Sequence, residues 1–295
     1  MKRGTITLDG ISGGFDLQAT VESGQSYCWT RADGRTYEQE RARGGSAWYW
    51  TVVDGDVIRI RRTDGALEWE ATTDAGPRLR ELLGLGDDLE AIREAAPGDE
   101  LIDAAFEAYR GLRIVRDPFF PCLISFICSA QMRVARIFGM QASLRETYGA
   151  EVSLDGETYR AFPTPERLAG VTETELRDLG LGYRAPYVQR TAEMVASGEL
   201  TRNDIDGLAY EDARERLTDF VGVGPKVADC VLLFSLGYLE AVPLDTWIQT
   251  AIEEHYPDCA RGNYAETSRA IRERLGGEYA GYAQTYVFAY LRTQE

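Results

Sequence analysis

What most restricts the fold of this chain is a single change of hydrophobic period near Pro77. Before it, short runs rich in β-branched and aromatic residues (5–8, 15–21, 47–53, 57–61 and 67–72) are separated by Gly and Asp. Such runs read as strands. The pairs Asp33-Gly34, Asp54-Gly55 and Asp64-Gly65 fit tight turns between antiparallel strands. Beyond Pro77 the apolar residues recur at helical spacing to the end of the chain. They predict helices over 87–94, 98–109, 118–129, 133–147, 165–169, 173–178, 184–197, 209–218, 225–236, 246–255, 263–275 and 280–292. Strands followed by a long run of helices imply an α+β fold with segregated halves. The expected division is an N-terminal antiparallel β domain with trailing helices over 1–95 and an all-helical domain over 96–295.

Composition removes several function classes. The longest apolar runs, 122–128 and 231–239, fall far short of the roughly 18–20 residues that a bilayer span needs. Met1-Lys2-Arg3 leads into Gly-Thr-Ile-Thr with no apolar signal stretch. A soluble, cytoplasmic protein without a membrane partner is expected. His255 is the only histidine, and Cys28, Cys122, Cys128, Cys230 and Cys259 form no Cys-x-x-Cys pair. Histidine metal sites, Ser-His or Cys-His catalysis and the usual zinc spacings are thereby set aside.

Lysine is the informative scarcity. Of 32 Lys+Arg, only Lys2 and Lys226 are lysine, in a chain with 48 Asp+Glu and a net charge of −16. An acidic, lysine-poor surface suits a halophilic protein working in high intracellular salt. Drift toward arginine in a GC-rich genome is the competing explanation, and the two are compatible. Either way, the lysine kept at 226 requires an account.

That lysine lies in the densest stretch of the chain, Leu217-Thr218-Asp219-Phe220-Val221-Gly222-Val223-Gly224-Pro225-Lys226-Val227-Ala228-Asp229-Cys230. A helix ends near Thr218, Gly222 and Gly224 permit a tight turn, and Pro225 suits the first position of the next helix. Unpaired N–H groups at such a helix start can receive a phosphate, a contact that positions nucleic acid without reading sequence. Plain helix–turn–helix packing uses the same glycines. Lys226 and Cys230, four residues apart, project from one helical face. As a mere solvated cation, Lys226 would sit badly with the helix dipole. Asp245 precedes a new helical pattern, and the residues alone favour reading it as a helix N-cap.

Residues 217–248 resemble the helix–hairpin–helix DNA glycosylases, whose motif is a hairpin, a lysine and an aspartate 19 residues on, here Lys226 and Asp245. Further segments are similar to the 8-oxoguanine DNA glycosylase branch. They are Ser23-Gly24-Gln25-Ser26-Tyr27, Asp117-Pro118 with Ser125-Phe126-Ile127-Cys128-Ser129, Leu179-Gly180-Leu181-Gly182-Tyr183-Arg184-Ala185, and Tyr279-Ala280-Gly281-Tyr282-Ala283-Gln284 with Phe288. The resemblance runs from about Phe15 to Arg292. It implies an enzyme that flips a nucleotide out of double-stranded DNA containing oxidised guanine. Lys226 would attack C1′, displace the base and form an imine open to β-elimination, with Asp245 stabilising the cationic sugar. Phe288 and Cys230 would cover the two faces of the base, and Gln284 would read its Watson–Crick edge. The Gly24 carbonyl would accept from the N7–H that distinguishes oxidised guanine.

The resemblance also assigns Tyr183 as a wedge in the vacated stack, and Arg136 and Arg184 as holders of the orphaned cytosine. Gln131-Met132-Arg133 stands where eukaryotic members have an asparagine run, so Gln131 supplies the amide there. Trp247 replaces a common phosphate-binding histidine. No cofactor is implied for the chemistry. A monovalent or divalent cation is implied at the carbonyls of Thr218, Phe220 and Val223, and a monomer is expected. Only Cys259 follows Asp245, so the iron–sulfur cluster of the endonuclease III branch is not expected. An alkyl-base glycosylase of the same superfamily and a non-catalytic hairpin module are the alternatives; both leave Lys226 unused. The net charge opposes any DNA partner unless arginines cluster, and Arg133, Arg136, Arg145, Arg177, Arg184 and Arg190 lie near the DNA-facing motifs.

Overall fold

The computed structural model describes residues 1–38 and 47–294. Five antiparallel strands, β1 (Lys2–Thr7), β2 (Thr30–Arg31), β3 (Tyr49–Val53), β4 (Asp56–Thr63) and β5 (Ala66–Ala71), form a sheet in the order β1-β5-β4-β3-β2. Asp54 and Gly55, at φ +52° and +82°, close the β3–β4 hairpin with Val53 opposite Asp56. Both residues are left-handed, as a two-residue turn matched to the strand twist demands. Asp64-Gly65 closes β4–β5. Asp33-Gly34 departs from expectation. It turns the chain after β2, whose partner β3 lies across a longer connection.

A second departure is α1 (Leu17–Glu22), a helix where a strand was expected. Its β-branched Thr20 and Val21 favour extended backbone, but a local cap and complete burial decide the matter. The Asp16 carboxylate caps the Ala19 N–H at 2.9 Å, and every residue of the helix is buried. Thr20 bonds the Asp16 carbonyl at 2.6 Å and receives the Arg113 N–H at 3.1 Å, so its side chain serves the helix on both sides.

After the sheet come α2 (Gly76–Leu82), α3 (Leu89–Ala95), α4 (Glu100–Ala108), α5 (Phe119–Ile127) and α6 (Val134–Tyr148). A hairpin of β6 (Glu151–Leu154) and β7 (Glu157–Arg160) interrupts the helices where no strand was expected. Asp155-Gly156, at φ +53° and +82°, is the same turn signal read correctly earlier in the chain. Leu154 and Tyr159 bury themselves on Val57, with the Tyr159 ring 5.1 Å from Trp50, so the hairpin covers the outer face of the first sheet. Then follow α7 (Pro165–Ala169), α8 (Glu173–Leu176), α9 (Ala185–Ser197), α10 (Tyr210–Leu217), α11 (Pro225–Val231), α12 (Thr246–His255), α13 (Tyr264–Arg274) and α14 (Ala280–Arg292). Helix α2, whose Pro77 sits in the first turn, was not foreseen either.

One apolar cluster joins sheet, α1 and α2 through Leu17, Val21, Ile60, Leu67, Trp69, Leu79 and Leu82. A larger one is centred on α5, in which only Pro121 escapes burial, and runs through α9, α11 and α14. Among the described residues no helix is long and apolar enough to cross a membrane.

Candidate active site

The hairpin between α10 and α11 is shaped by α9 behind it. Gly222 is at φ +85°, and a Cβ there would come within 2.7 Å of the Tyr187 side chain, so only glycine fits. Thr191 of α9 donates to the Val221 carbonyl at 3.0 Å. Gly224 is extended, at φ −96°, and nothing lies within 4 Å of the place a Cβ would occupy. The start of α11 is therefore open to solvent, with its first N–H groups facing out.

Lys226, in the first turn of α11, is half-buried. Its Nζ donates to Ser129 Oγ at 3.1 Å and lies 5.7 Å from the centre of the Phe126 ring. Ser129 in turn donates to the Phe126 carbonyl at 2.7 Å, so its oxygen is held as an acceptor toward the amine. One turn along, burial pushes the Cys230 thiol up to about 12 against the opposing charge of Lys226. Cys230 is thus a neutral, apolar wall.

Asp245 caps α12 by accepting from the Ile248 N–H at 2.9 Å. Burial raises its carboxyl above the usual range, while the Lys226 charge and the N–H groups of Ile248 and Trp247 pull it down. The carboxylate that caps α12 also feels the Lys226 charge, while the hydrogen bond of the amine goes to Ser129.

Both side chains open on a cavity of about 1000 Å³ whose walls include Gly24, Ser129, Gln131, Cys230, Trp247, Gln284 and Phe288. Gln284 and Phe288 come from consecutive turns of α14, as their spacing predicts. Gly24 is at φ +103°, and an added Cβ would meet Phe288 Cε1 at 3.0 Å and Val134 Cγ2 at 3.3 Å. A side chain there would push Phe288 out of place. The Gly24 loop is fastened from below. Gln25 Nε2 donates to the carbonyls of Thr20 and Arg113 at 2.8 and 2.7 Å, and its Oε1 accepts from Val115 at 3.0 Å. Ser26 donates to Asp117 Oδ2 at 2.6 Å; burial carries that carboxyl up to about 7, outweighing the hydrogen bonds it accepts.

Tyr183 is not part of the cavity lining; it is 52% exposed, the most exposed large apolar side chain among the described residues, with Tyr187 edge-on at 6.4 Å. Arg136 is exposed beside Gly180, and Gln131 holds a left-handed φ of +54°, strained for a residue with a side chain. Arg184 is turned inward: it is buried, donates to the Ala130 carbonyl and lies 4.2 Å from the Tyr183 ring. The expected arginine cluster is thinner than the sequence suggested. Arg145 is also buried, on the Tyr27 carbonyl at 2.9 Å, while Arg177 pairs with Glu173 and Arg190 with Glu199. Arg133 and Arg136 remain exposed at the rim. Among the described residues no group of three His, Cys, Asp or Glu could hold a metal.

An amine and a carboxylate lining one cavity, beside a glycine hairpin that leads into α11, define a helix–hairpin–helix protein. The chain belongs to the HhH-GPD superfamily of base excision DNA repair proteins, whose model matches residues 124–276. Residues 10–123 match the model of the 8-oxoguanine DNA glycosylase N-terminal domain. The chain is 37% identical over 215 residues to a probable N-glycosylase/DNA lyase of Methanothermobacter thermautotrophicus, covering 66% of this chain and 68% of that one. It is 33% identical over 213 residues to the N-glycosylase/DNA lyase of Saccharomyces cerevisiae, covering 61% of this chain and 57% of that one. Among solved structures, the Clostridium acetobutylicum 8-oxoguanine glycosylase/lyase in complex with double-stranded DNA containing cytosine opposite 8-oxoG superposes with a TM-score of 0.82. That pair shares 28% identity over 95% of this chain and 92% of the other.

Proposed function

We propose that this protein is a bifunctional DNA glycosylase and lyase that removes 8-oxoguanine from double-stranded DNA through an imine on Lys226. The observation that carries the reading is the convergence of Lys226, Asp245, Cys230, Gly24, Gln284 and Phe288 on one cavity. Its chemistry suits a flipped base. Phe288 and the neutral Cys230 offer two apolar walls, and Gln284, 3% exposed, offers an amide at the buried end. The Gly24 carbonyl sits in a loop too firmly tied to yield to guanine, whose N7 presents a lone pair to it. Lys226 attacks C1′ as the base departs with the bonding electrons, and Asp245 stabilises the positive charge on the sugar. Loss of the ring C1′–O bond then gives the imine, which permits β-elimination of the 3′ phosphate.

The open start of α11 at Gly222 and Gly224 receives a phosphate. Arg136 and Gln131 face the orphaned base, with Tyr183 wedged into the gap. Arg184 reaches that base by releasing the Ala130 carbonyl, and Trp247 packs against the backbone. The carbonyls of Thr218, Phe220 and Val223 suit a hard monovalent or divalent cation. Phe220 spends one lone pair on the Val223 N–H at 3.1 Å and keeps the second. The protein works as a cytoplasmic monomer. Borohydride trapping on a duplex with a single 8-oxoguanine tests the reading. A covalent adduct is expected with that duplex and none with undamaged DNA; base release without any adduct would remove the imine.

Phe288→Ala should weaken binding of the damaged duplex by roughly 1–3 kcal/mol, the worth of one stacked base. Discrimination against guanine should survive, since it resides at Gly24. Binding of damaged and undamaged duplexes measures both effects.

We also propose that the lysine-poor, acidic composition adapts the protein to high salt. Ordinary DNA binding weakens steeply as salt rises, because releasing counterions into a more concentrated solution gains less entropy. Here base release should persist at molar KCl, and low salt should lower the melting temperature through unscreened carboxylate repulsion. Maximal activity and stability at low ionic strength would leave only the genomic explanation.

A further inference from the structure

Behind the cavity lies a polar network that the reaction as described does not use. Asp229 sits on α11 one turn beyond Lys226 and has no exposed surface. A buried carboxylate is costly unless hydrogen-bonded, and this one accepts from two phenols, Tyr210 of α10 and Tyr264 of α13, at 2.7 Å each. Tyr210 is braced in turn by Arg214, whose Nη1 lies 3.2 Å from its hydroxyl, and by the Arg272 guanidinium 4.3 Å from the centre of its ring. Arg214 approaches Asp229 itself no closer than 3.9 Å.

The Tyr264 hydroxyl has a second bond: it accepts the Leu244 N–H at 3.2 Å. Leu244 immediately precedes Asp245, and its carbonyl accepts from Gln249 Nε2 at 3.1 Å. Leu244, the residue before Asp245, is thus held on both sides, by Tyr264 at its N–H and by Gln249 of α12 at its carbonyl. Pro243, next in line, has no N–H to offer. A continuous chain therefore runs from the helix that carries Lys226, through the Asp229 carboxylate and the Tyr264 phenol, to the backbone that carries Asp245.

We propose that Asp229 and Tyr264 are positioning residues that set Asp245 at its working place relative to Lys226. The inference rests on the catalytic assignment of Lys226 and Asp245. Tyr264 and Leu244 also line the cavity, and the Tyr264 hydroxyl is engaged by Asp229 and the Leu244 N–H. Burial raises the Asp229 carboxyl to about 6. Its partners Tyr210, Tyr264, Arg214 and Arg272 pull in the opposite direction.

The test is single-turnover base release from an 8-oxoguanine duplex, measured for Tyr264→Phe and Asp229→Asn, each alone and combined with Asp245→Asn. Tyr264→Phe keeps the ring and loses the hydroxyl. It should slow base release on the order of tenfold, the scale of a small misplacement of a reacting group, with duplex affinity changed by less than about twofold. Asp229→Asn should act in the same direction. In the Asp245→Asn background, neither substitution should slow release further, because residues acting through one group are not additive. A Tyr264→Phe protein that releases base at the unmodified rate overturns the proposal. So does a tenfold loss that recurs undiminished in the Asp245→Asn background, which marks a general structural role. If Asp245→Asn alone releases base at the unmodified rate, the catalytic assignment falls and takes this inference with it, a result distinct from the first two.

Discussion

Lys226→Gln should abolish both base release and borohydride trapping while leaving the damaged duplex bound. A loss of at least about 10³-fold is expected, equivalent to about 4 kcal/mol of transition-state stabilisation. Glutamine is one bond shorter than lysine but keeps a polar, uncharged end in a half-buried place, so the pocket should stay intact. The test is unusually clean because lysine is so scarce. Lys2, the other lysine, lies in β1 opposite Ala71 and forms no part of the cavity wall. A trapped adduct that survives in the Lys226→Gln protein would move the chemistry to another amine, Lys2 or the chain's own N-terminus.

Asp245→Asn separates the two duties of one carboxylate. Asparagine caps a helix about as well as aspartate, so the bond to Ile248 should persist and α12 should keep its start. Burial holds the native carboxyl above its usual range, meaning the fold disfavours the charge. Removing it should leave the melting temperature unchanged or slightly higher at neutral pH. The chemistry should suffer: turnover is expected to fall by about 10²-fold or more, with binding little changed, because a neutral amide cannot stabilise a cationic sugar. Full turnover in a protein with a lowered melting temperature would reduce Asp245 to a cap.

Much of the site was legible because it is written in local spacing. Lys226 and Cys230, and Gln284 and Phe288, are one helical turn apart, and α11 and α14 need only form for each pair to share a face. Gly222 and Gly24 announce left-handed backbone. Both proved to be places where a Cβ would strike a neighbour. Asp245 was readable as a cap, and the cap is present; that it also lines the cavity that holds the amine depends on how α11 and α12 are placed. Ser129 lay inside a quoted motif, yet nothing at its position betrays that its hydroxyl holds Lys226 from 97 residues away. Asp229 was quoted within the hairpin block without a role, since its partners Tyr210 and Tyr264 come from two other helices.

Local sequence is enough for the switch from sheet to helix, the hairpin turns at 54–55 and 64–65, and the paired residues of each helix face. These follow from φ preferences and from the 2.0 and 3.6 residue periods, which act over a few residues. Packing made 17–22 a helix, because burial on every side outweighed its β-branched residues. It alone turned Arg145 and Arg184 inward, and it joined Asp229 to Leu244 through a phenol from α13. In each case the deciding term is burial or a hydrogen bond between segments distant in the chain, and its sign depends on which faces meet once the helices have packed.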